Sequence, residues 1–363
     1  MILELLIWII EKIHISISRT YSYLFNRLNK KLFVKFKFIE IFQINSIKVL
    51  NRLSKKKGNL LPTKMHDNAL VTRDKLIFKA VKDIVDYSII NNINIEEYSQ
   101  NFDHISKDTI KHFIRGAYYI YTNSVIRRSY LFNREELQKR SEISKYVNDI
   151  KKRIKLPINY YIPSVFYYHC GLKFLPKILL KDLIETDIID GGAFVGDSAI
   201  IFERYYQPNK IYAFEPESRN YDLMLQTMEM NNLKKNIPIK KGLNDKEINL
   251  KFKSIGALSY ISKKGKNIIE TTTIDDFVFK NSLNIGLIKM DIEGYELNAL
   301  IGAKETIKKF KPLLLIAIYH NGKQFFETIK LIKKIYPNYT FIIRKLTPFS
   351  FLDEIFLIAW IQE

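Results

Sequence analysis

Four short stretches in the second half of the sequence hold residue types that can bind a nucleoside and move a proton. The first is Asp190-Gly191-Gly192-Ala193-Phe194-Val195-Gly196-Asp197-Ser198, lying between an apolar run and a helical one. Gly191, Gly192 and Gly196 let the backbone turn sharply and approach a ligand more closely than any Cβ allows, and the helix that follows offers free N–H groups at its start. The second is Glu215 in Phe214-Glu215-Pro216. A carboxylate there can accept both hydroxyls of an adenosine ribose, and its plainer role is to cap a helix starting near Ser218. The third is Lys289-Met290-Asp291-Ile292-Glu293-Gly294-Tyr295-Glu296, which sends three carboxylates off the end of a strand. Helix capping accounts for one of them and not for three. The fourth, Ala317-Ile318-Tyr319-His320-Asn321, puts His320 at the end of the next strand. A histidine or a carboxylate at such a position is the equipment of general acid–base chemistry, although a lone histidine is often only structural.

These groups meet only if a parallel sheet aligns the strand ends. From Asp187 onward, short β-rich runs alternate with amphipathic helical ones, the pattern of a doubly wound α/β sheet. Seven strands are predicted: 187–190, 210–214, 237–241, 286–290, 313–319, 340–344 and 355–360. The first five are nearly continuous apolar runs, as central strands covered on both faces require. The last two leave no room for a crossover helix, which predicts an antiparallel hairpin at the sheet edge. The fold class is therefore α/β, with a seven-stranded Rossmann-like sheet preceded by a mainly helical, basic N-terminal region.

Three segments are expected. Residues 1–60 are basic and apolar and close at Lys55, Lys56, Lys57 and Gly58, with Pro62 beyond. Residues 61–165 carry apolar positions at helical spacing, such as Ile77, Val81, Ile84 and Val85. Residues 166–363 form the sheet domain. The aromatic and proline-rich stretch 156–176 reads as a lid or packing collar against it. Residues 1–180 hold 32 Lys and Arg against 15 Asp and Glu, whereas 181–363 hold 26 against 23, so the net charge of +20 belongs mostly to the first half. A basic half suits an anionic partner, and a phospholipid surface or acidic glycan fits better than nucleic acid, since no zinc finger, RNA-binding signature or helix-turn-helix pattern accompanies it. Residues 1–10 are almost wholly apolar, but spanning a bilayer takes roughly 20 such residues and Glu4, Glu11 and Lys12 interrupt the run. They read as a buried helix or as an interfacial anchor. One cysteine, Cys170, and six scattered histidines provide neither a disulfide nor a zinc site, and a reducing cytoplasm suits the chain.

In order and spacing, the stretches 190–199 (DGGAFVGDSA), 211–216 (IYAFEP), 273–277 (TIDDF), 289–296 (KMDIEGYE) and 312–320 resemble the FkbM-type methyltransferases. Residues 167–176 (YYHCGLKFLP) also look like the lead-in of members tied to surface-polysaccharide synthesis. The resemblance covers roughly residues 165–361. It implies a class I methyltransferase sheet, S-adenosylmethionine as donor, and O-methylation, usually of sugar or polyketide hydroxyls; a sugar or glycan hydroxyl is the acceptor expected here. The donor-binding residues expected are Asp190, Gly191, Gly192, Gly196, Asp197 and Glu215; Asp190 can hold the amino group of a methionine moiety, and its duller role is a structural turn. His320 is the expected general base, or else Asp291 or Glu293. Where other members carry a glutamate before the histidine of the last stretch, this chain has Ile318-Tyr319-His320.

No metal is assigned. A divalent ion bridging the carboxylates to a substrate diol is the lesser alternative. A dinucleotide oxidoreductase also uses an acid after the second strand, but the Tyr260 and Lys264 pair that would serve it falls in a predicted hairpin near Gly265 and not on one helical face. A base-amino methyltransferase would carry an Asn/Asp-Pro-Pro-aromatic motif where Asp291-Ile292-Glu293-Gly294 stands. A noncatalytic scaffold binding membrane or a glycosyltransferase is the remaining rival. Oligomeric state is not legible in the sequence.

Overall fold

The computed structural model describes residues 69–70, 75–122, 126–127, 132, 134–253, 260–261, 267–351 and 353–362. The predicted segment 1–60, with its anchor, and the pair partner Lys264 with Gly265 lie outside these. The chain divides into two units: Met1–Asn92 with Lys111–Arg134, and Ile93–Ile110 with Glu135–Glu363.

In the first unit, helix α1 (Lys75–Ile90) turns one apolar stripe inward, burying Val81, Ile84 and Val85. The second described helical segment of this unit is the later part of α3 (His104–Thr122), which buries Phe113, Ile114, Ala117 and Ile120. The hydroxyls of Ser88 and Tyr118 lie 2.9 Å apart, satisfying two polar groups inside that packing. The second unit begins with α2 (Ile95–Ser99), capped by Asn94, continues through the start of α3, and resumes with α4 (Arg134–Lys151). The helical character expected of this region is present.

The sheet is built from β1 (Asp187–Gly191), β2 (Ile211–Phe214), β3 (Asn236–Ile239), β4 (Ile285–Met290), β5 (Leu313–Ala317), β6 (Tyr339–Lys345) and β7 (Ile355–Ile361). All seven predicted strands are present, and their order across the sheet is β6-β7-β5-β4-β1-β2-β3. The ladders from β3 to β5 are parallel, and β7 runs antiparallel to both β5 and β6. Ile188, Ile189, Ile211, Ile288, Leu314, Leu315 and Ile316 are completely buried, each worth roughly 1.5–3 kcal/mol relative to exposure. That two-sided burial is why these strands are apolar without alternation.

Crossover helices α5 (Asp197–Tyr206), α6 (Ser218–Met230), α7 (Ile274–Lys280), α8 (Glu296–Ile301), α9 (Lys304–Phe310) and α10 (Gly322–Ile335) join the strands. Between β3 and α7, strands at Gly242–Leu243, Asn249–Lys253, Tyr260–Ile261 and Asn267–Thr272 form a smaller sheet that the sequence pattern had shown only as a hairpin. The stretch 163–175 packs as a collar: Phe166, Cys170, Leu172 and Leu175 join the same core as Ile188 and Leu315. Among the described residues no helix is long and apolar enough to cross a membrane.

Candidate active site at the carboxyl edge of the sheet

β5, β4, β1 and β2 lie side by side in that order, so their carboxyl ends bring the four chemistry-bearing stretches to one edge. The glycine turn follows β1. Gly192 has φ of +71°, and a Cβ there would stand 1.9 Å from the backbone oxygen of Asp291. What demands glycine here is thus the end of β4, a protein neighbour, where the sequence alone suggested a ligand. Backbone N–H groups of Gly192 and Ala193 both donate to Phe214 O at 3.0 Å, tying the turn to β2.

Asp190 is fully buried, and its carboxylate is engaged by Lys289, whose Nζ lies 3.0 Å from Oδ1, and by the Ser198 hydroxyl. Lys289 also donates to Gly192 O at 2.9 Å. Burial works against the Lys289 ammonium, but Asp190 and Asp291 outweigh it and raise its pKa. This lysine was not among the residues singled out in the sequence. Its signal, a charge one residue before the end of an apolar strand, is visible only once β4 is known to lie beside β1. Asp197 opens α5 with Oδ1 accepting from Ser198 N at 3.0 Å, while its buried Oδ2 has no hydrogen-bond partner among the described residues. Burial pushes its carboxyl up to about 6.

Glu215 is held by two backbone donors. Phe194 N reaches Oε2 at 3.0 Å and Glu217 N reaches Oε1 at 2.9 Å, and burial pushes the carboxyl up to about 7. Glu217, not Glu215, caps α6, accepting from Asn220 N at 2.8 Å. The plainer cap role considered for Glu215 therefore belongs to its neighbour. Tyr160 of the collar packs edge-on against Phe194, with ring centroids 5.4 Å apart.

Across from the glycine turn, β4 ends in a loop with two successive left-handed residues, Glu293 (φ 57°) and Gly294 (φ 95°). A Cβ at Gly294 would lie 3.1 Å from the Asn321 amide nitrogen, so the missing side chain lets this loop close on the end of β5. His320 is thereby enclosed by carboxylates. Its Nε2 is 3.4 Å from Asp291 Oδ1 and 3.6 Å from Glu293 Oε2, and its Nδ1 is 3.2 Å from Glu296 Oε1. Burial alone would lower the His320 pKa, but Glu296, Glu293 and Asp291 raise it to about 10. Burial raises Glu293 to about 8, with Asp291 and Glu296 adding to the rise and His320 opposing it. The Tyr319 hydroxyl donates to Asp291 at 3.2 Å. Gln324 accepts from His320 N at 3.1 Å and donates to Ala317 O, which fixes the turn out of β5. Neither Gln324 nor the Tyr319 contact was foreseen, because each depends on how the strand end folds back on α10.

A seven-stranded sheet of this order, with a glycine turn after β1 and an acid after β2, defines the methyltransferase class of Rossmann-like folds. Residues 190–347 match the family model described as the Methyltransferase FkbM domain. The structure is similar to the methyltransferase FkbM from Methylobacillus flagellatus KT at 20% identity and a TM-score of 0.53, over 76% of this chain. The chain spans 60% of the length of that protein. It is also similar to an rRNA methylase from Streptococcus thermophilus (13% identity, TM-score 0.36, 55% of this chain and 96% of that one). A further similarity is to M. jannaschii TYW2 in complex with AdoMet (14%, TM-score 0.27, 50% and 70%). No curated protein sequence matches the chain.

Proposed function

We propose that this protein methylates a hydroxyl of a sugar or glycan with S-adenosylmethionine as donor, and that its basic N-terminal half brings it to an anionic surface. The observation that carries the reading is the facing of two half-sites across the sheet edge: the turn 191–197 with Glu215, and the group Asp291, Glu293 and His320. The first half-site fits the donor. Asp197 Oδ2 is buried without a partner, as an acceptor for an ammonium group would be, and Glu215 presents a carboxylate at the end of β2. Asp190 acts from behind, since Lys289 occupies its carboxylate and ties it to the glycine carbonyls.

Bound there, S-adenosylmethionine supplies an electrophilic methyl group on a sulfonium, which passes to oxygen as the carbon–sulfur bond breaks and its electron pair stays on sulfur. The chain's own residues align the hydroxyl and take its proton. Asp291 and Glu293 are the more accessible members of their cluster, at 22% and 31% side-chain exposure against 10% for His320. They are placed to accept hydrogen bonds from the acceptor, and one of them receives the proton as the new carbon–oxygen bond forms. His320, enclosed by three carboxylates, orients them. Removing a true base costs about 10²- to 10⁴-fold in rate.

The test is thermal unfolding of the full chain with S-adenosylmethionine, S-adenosylhomocysteine and NAD added separately. A ligand at about 100 times its Kd adds about 2.7 kcal/mol. A rise in Tm with both sulfur nucleotides, lost in Glu215→Ala, supports the donor reading, and transfer of labelled methyl to sugar hydroxyls would extend it to the acceptor. No rise, or a larger one with NAD, returns the protein to the scaffold or oxidoreductase readings.

A further inference from the structure

Five carboxyl groups gather on the acceptor side of the site. Asp291, Glu293, Glu296, Asp353 and Glu354 act on one another through their charges, and all five lie at the mouth of β4, β5 and the loop before β7. Lys289 is already engaged by Asp190. His320 lies among them, and Lys345, paired with Glu136, acts on Asp353.

Geometry narrows the cluster to three residues. Asp291, Glu296 and His320 each offer one ligand atom such that all lie within 4.8 Å of one another. Glu296 is completely buried. Its Oε1 accepts from Ile292 N at 2.8 Å, but its Oε2 has no hydrogen-bond partner among the described residues. A buried carboxylate oxygen left without a donor is costly unless something cationic meets it. Both nitrogens of His320 lie near carboxylate oxygens, Nε2 3.4 Å from Asp291 Oδ1 and Nδ1 3.2 Å from Glu296 Oε1. Around an ion bound at about 2.1 Å, adjacent ligands stand about 3 Å apart and opposite ones about 4.2 Å, so the three groups draw together on binding. Two carboxylates with one imidazole suit a cation between the oxygen-loving and nitrogen-loving classes, which favours Mn²⁺ over Mg²⁺ and Ca²⁺.

We propose that Asp291, Glu296 and His320 bind one divalent cation, Mn²⁺ in preference to Mg²⁺, whose open coordination positions take two neighbouring hydroxyl oxygens of the acceptor. This rests on the hydroxyl-methylation reading and specifies its substrate as a vicinal diol. Glu293, outside the three ligands and more exposed, remains the group facing the hydroxyl proton.

The experiment is a Mn²⁺ titration of the EDTA-treated, desalted full chain, followed by electron paramagnetic resonance, with S-adenosylhomocysteine binding measured on the same samples. One Mn²⁺ per chain is expected, bound at least tenfold more weakly by Glu296→Gln and by His320→Ala, with S-adenosylhomocysteine affinity kept within about threefold. Mg²⁺ should compete only at large excess. A chain that binds S-adenosylhomocysteine and no Mn²⁺ overturns the metal site and leaves the donor reading standing, with His320 itself as the cluster's cation. A chain that binds Mn²⁺ at these residues and no S-adenosylhomocysteine has the opposite meaning. Wild-type Mn²⁺ affinity in Glu296→Gln also overturns the proposal. Should that variant lose S-adenosylhomocysteine binding and so prove misfolded, His320→Ala decides by the same readout.

Discussion

At Gly192 the missing side chain is required by the carbonyl of Asp291, so one glycine sets the distance between the turn after β1 and the carboxylates after β4. Gly192→Ala forces a Cβ against that carbonyl from a left-handed backbone. We expect it to cost about 3 kcal/mol in urea unfolding and to abolish S-adenosylhomocysteine binding. Glu215 gives a pH signature. Burial raises its carboxyl from 4.5 to about 7, so its contribution to stability is present below pH 4.5 and is lost as pH rises through about 7. On the proposed donor reading, binding has the opposite sign, because the ribose hydroxyls would donate to the Glu215 carboxylate. Affinity for S-adenosylhomocysteine should rise about tenfold between pH 6 and pH 8, and Glu215→Gln should flatten that profile in calorimetric titrations. Sequence type alone placed Glu215, Asp291, Glu293 and His320 at strand ends, because a polar residue closing an apolar run marks where a buried strand surfaces. It did not reveal that Lys289 engages Asp190, which requires knowing that β4 lies beside β1.

At the scale of elements, residues 273–277 show what a short motif does. Thr273 caps α7, accepting from Asp276 N at 2.9 Å, and its hydroxyl donates to the Asp276 carboxylate. Asp275 reaches elsewhere, accepting from Glu305 N at 3.0 Å and Thr306 N at 2.7 Å at the head of α9. The stretch is therefore a brace between two helices. Asp275→Ala should lower stability by about 1–2 kcal/mol in denaturant unfolding and leave S-adenosylhomocysteine affinity unchanged. A threonine followed three residues later by an acid is a helix start that sequence can show. The bond to α9 is not, since it joins segments thirty residues apart. The same limit applies to the last two strands. Their antiparallel pairing followed from the lack of a crossover helix, but the insertion of β7 between β5 and β6 is a matter of sheet order. Strands of the smaller sheet, such as Asn249–Lys253, mix polar with apolar residues and carry no comparable signal.

On the scale of the molecule, residues 93–110 belong with the sheet unit because side chains reach across more than two hundred positions to hold them there. Ser106 Oγ accepts from Ile343 N at 2.8 Å on β6, satisfying an edge-strand donor, and Arg344 bonds both Ser106 and Asp103. Ser106→Ala leaves that buried N–H unpaired and should cost about 1–3 kcal/mol, seen as a lower urea midpoint. Charge makes a separate prediction for the basic half. The full chain should float with anionic vesicles in low salt and be released by added salt, and deletion of residues 1–35 should weaken this. Flotation unchanged by the deletion would remove the anchor reading of that segment.

By itself the sequence determined the seven strands and the polar residues that end them, because two-sided burial demands unbroken apolar runs and leaves chemistry to the points where they stop. It also carried the family resemblance in five ordered stretches. Only the tertiary structure decided which strand ends are neighbours. That placement turned Asp190 toward Lys289, made Gly192 answer to Asp291, and closed three carboxylates around His320. Contacts of this kind depend on distances between segments remote in the chain, and no local pattern of residue types encodes them.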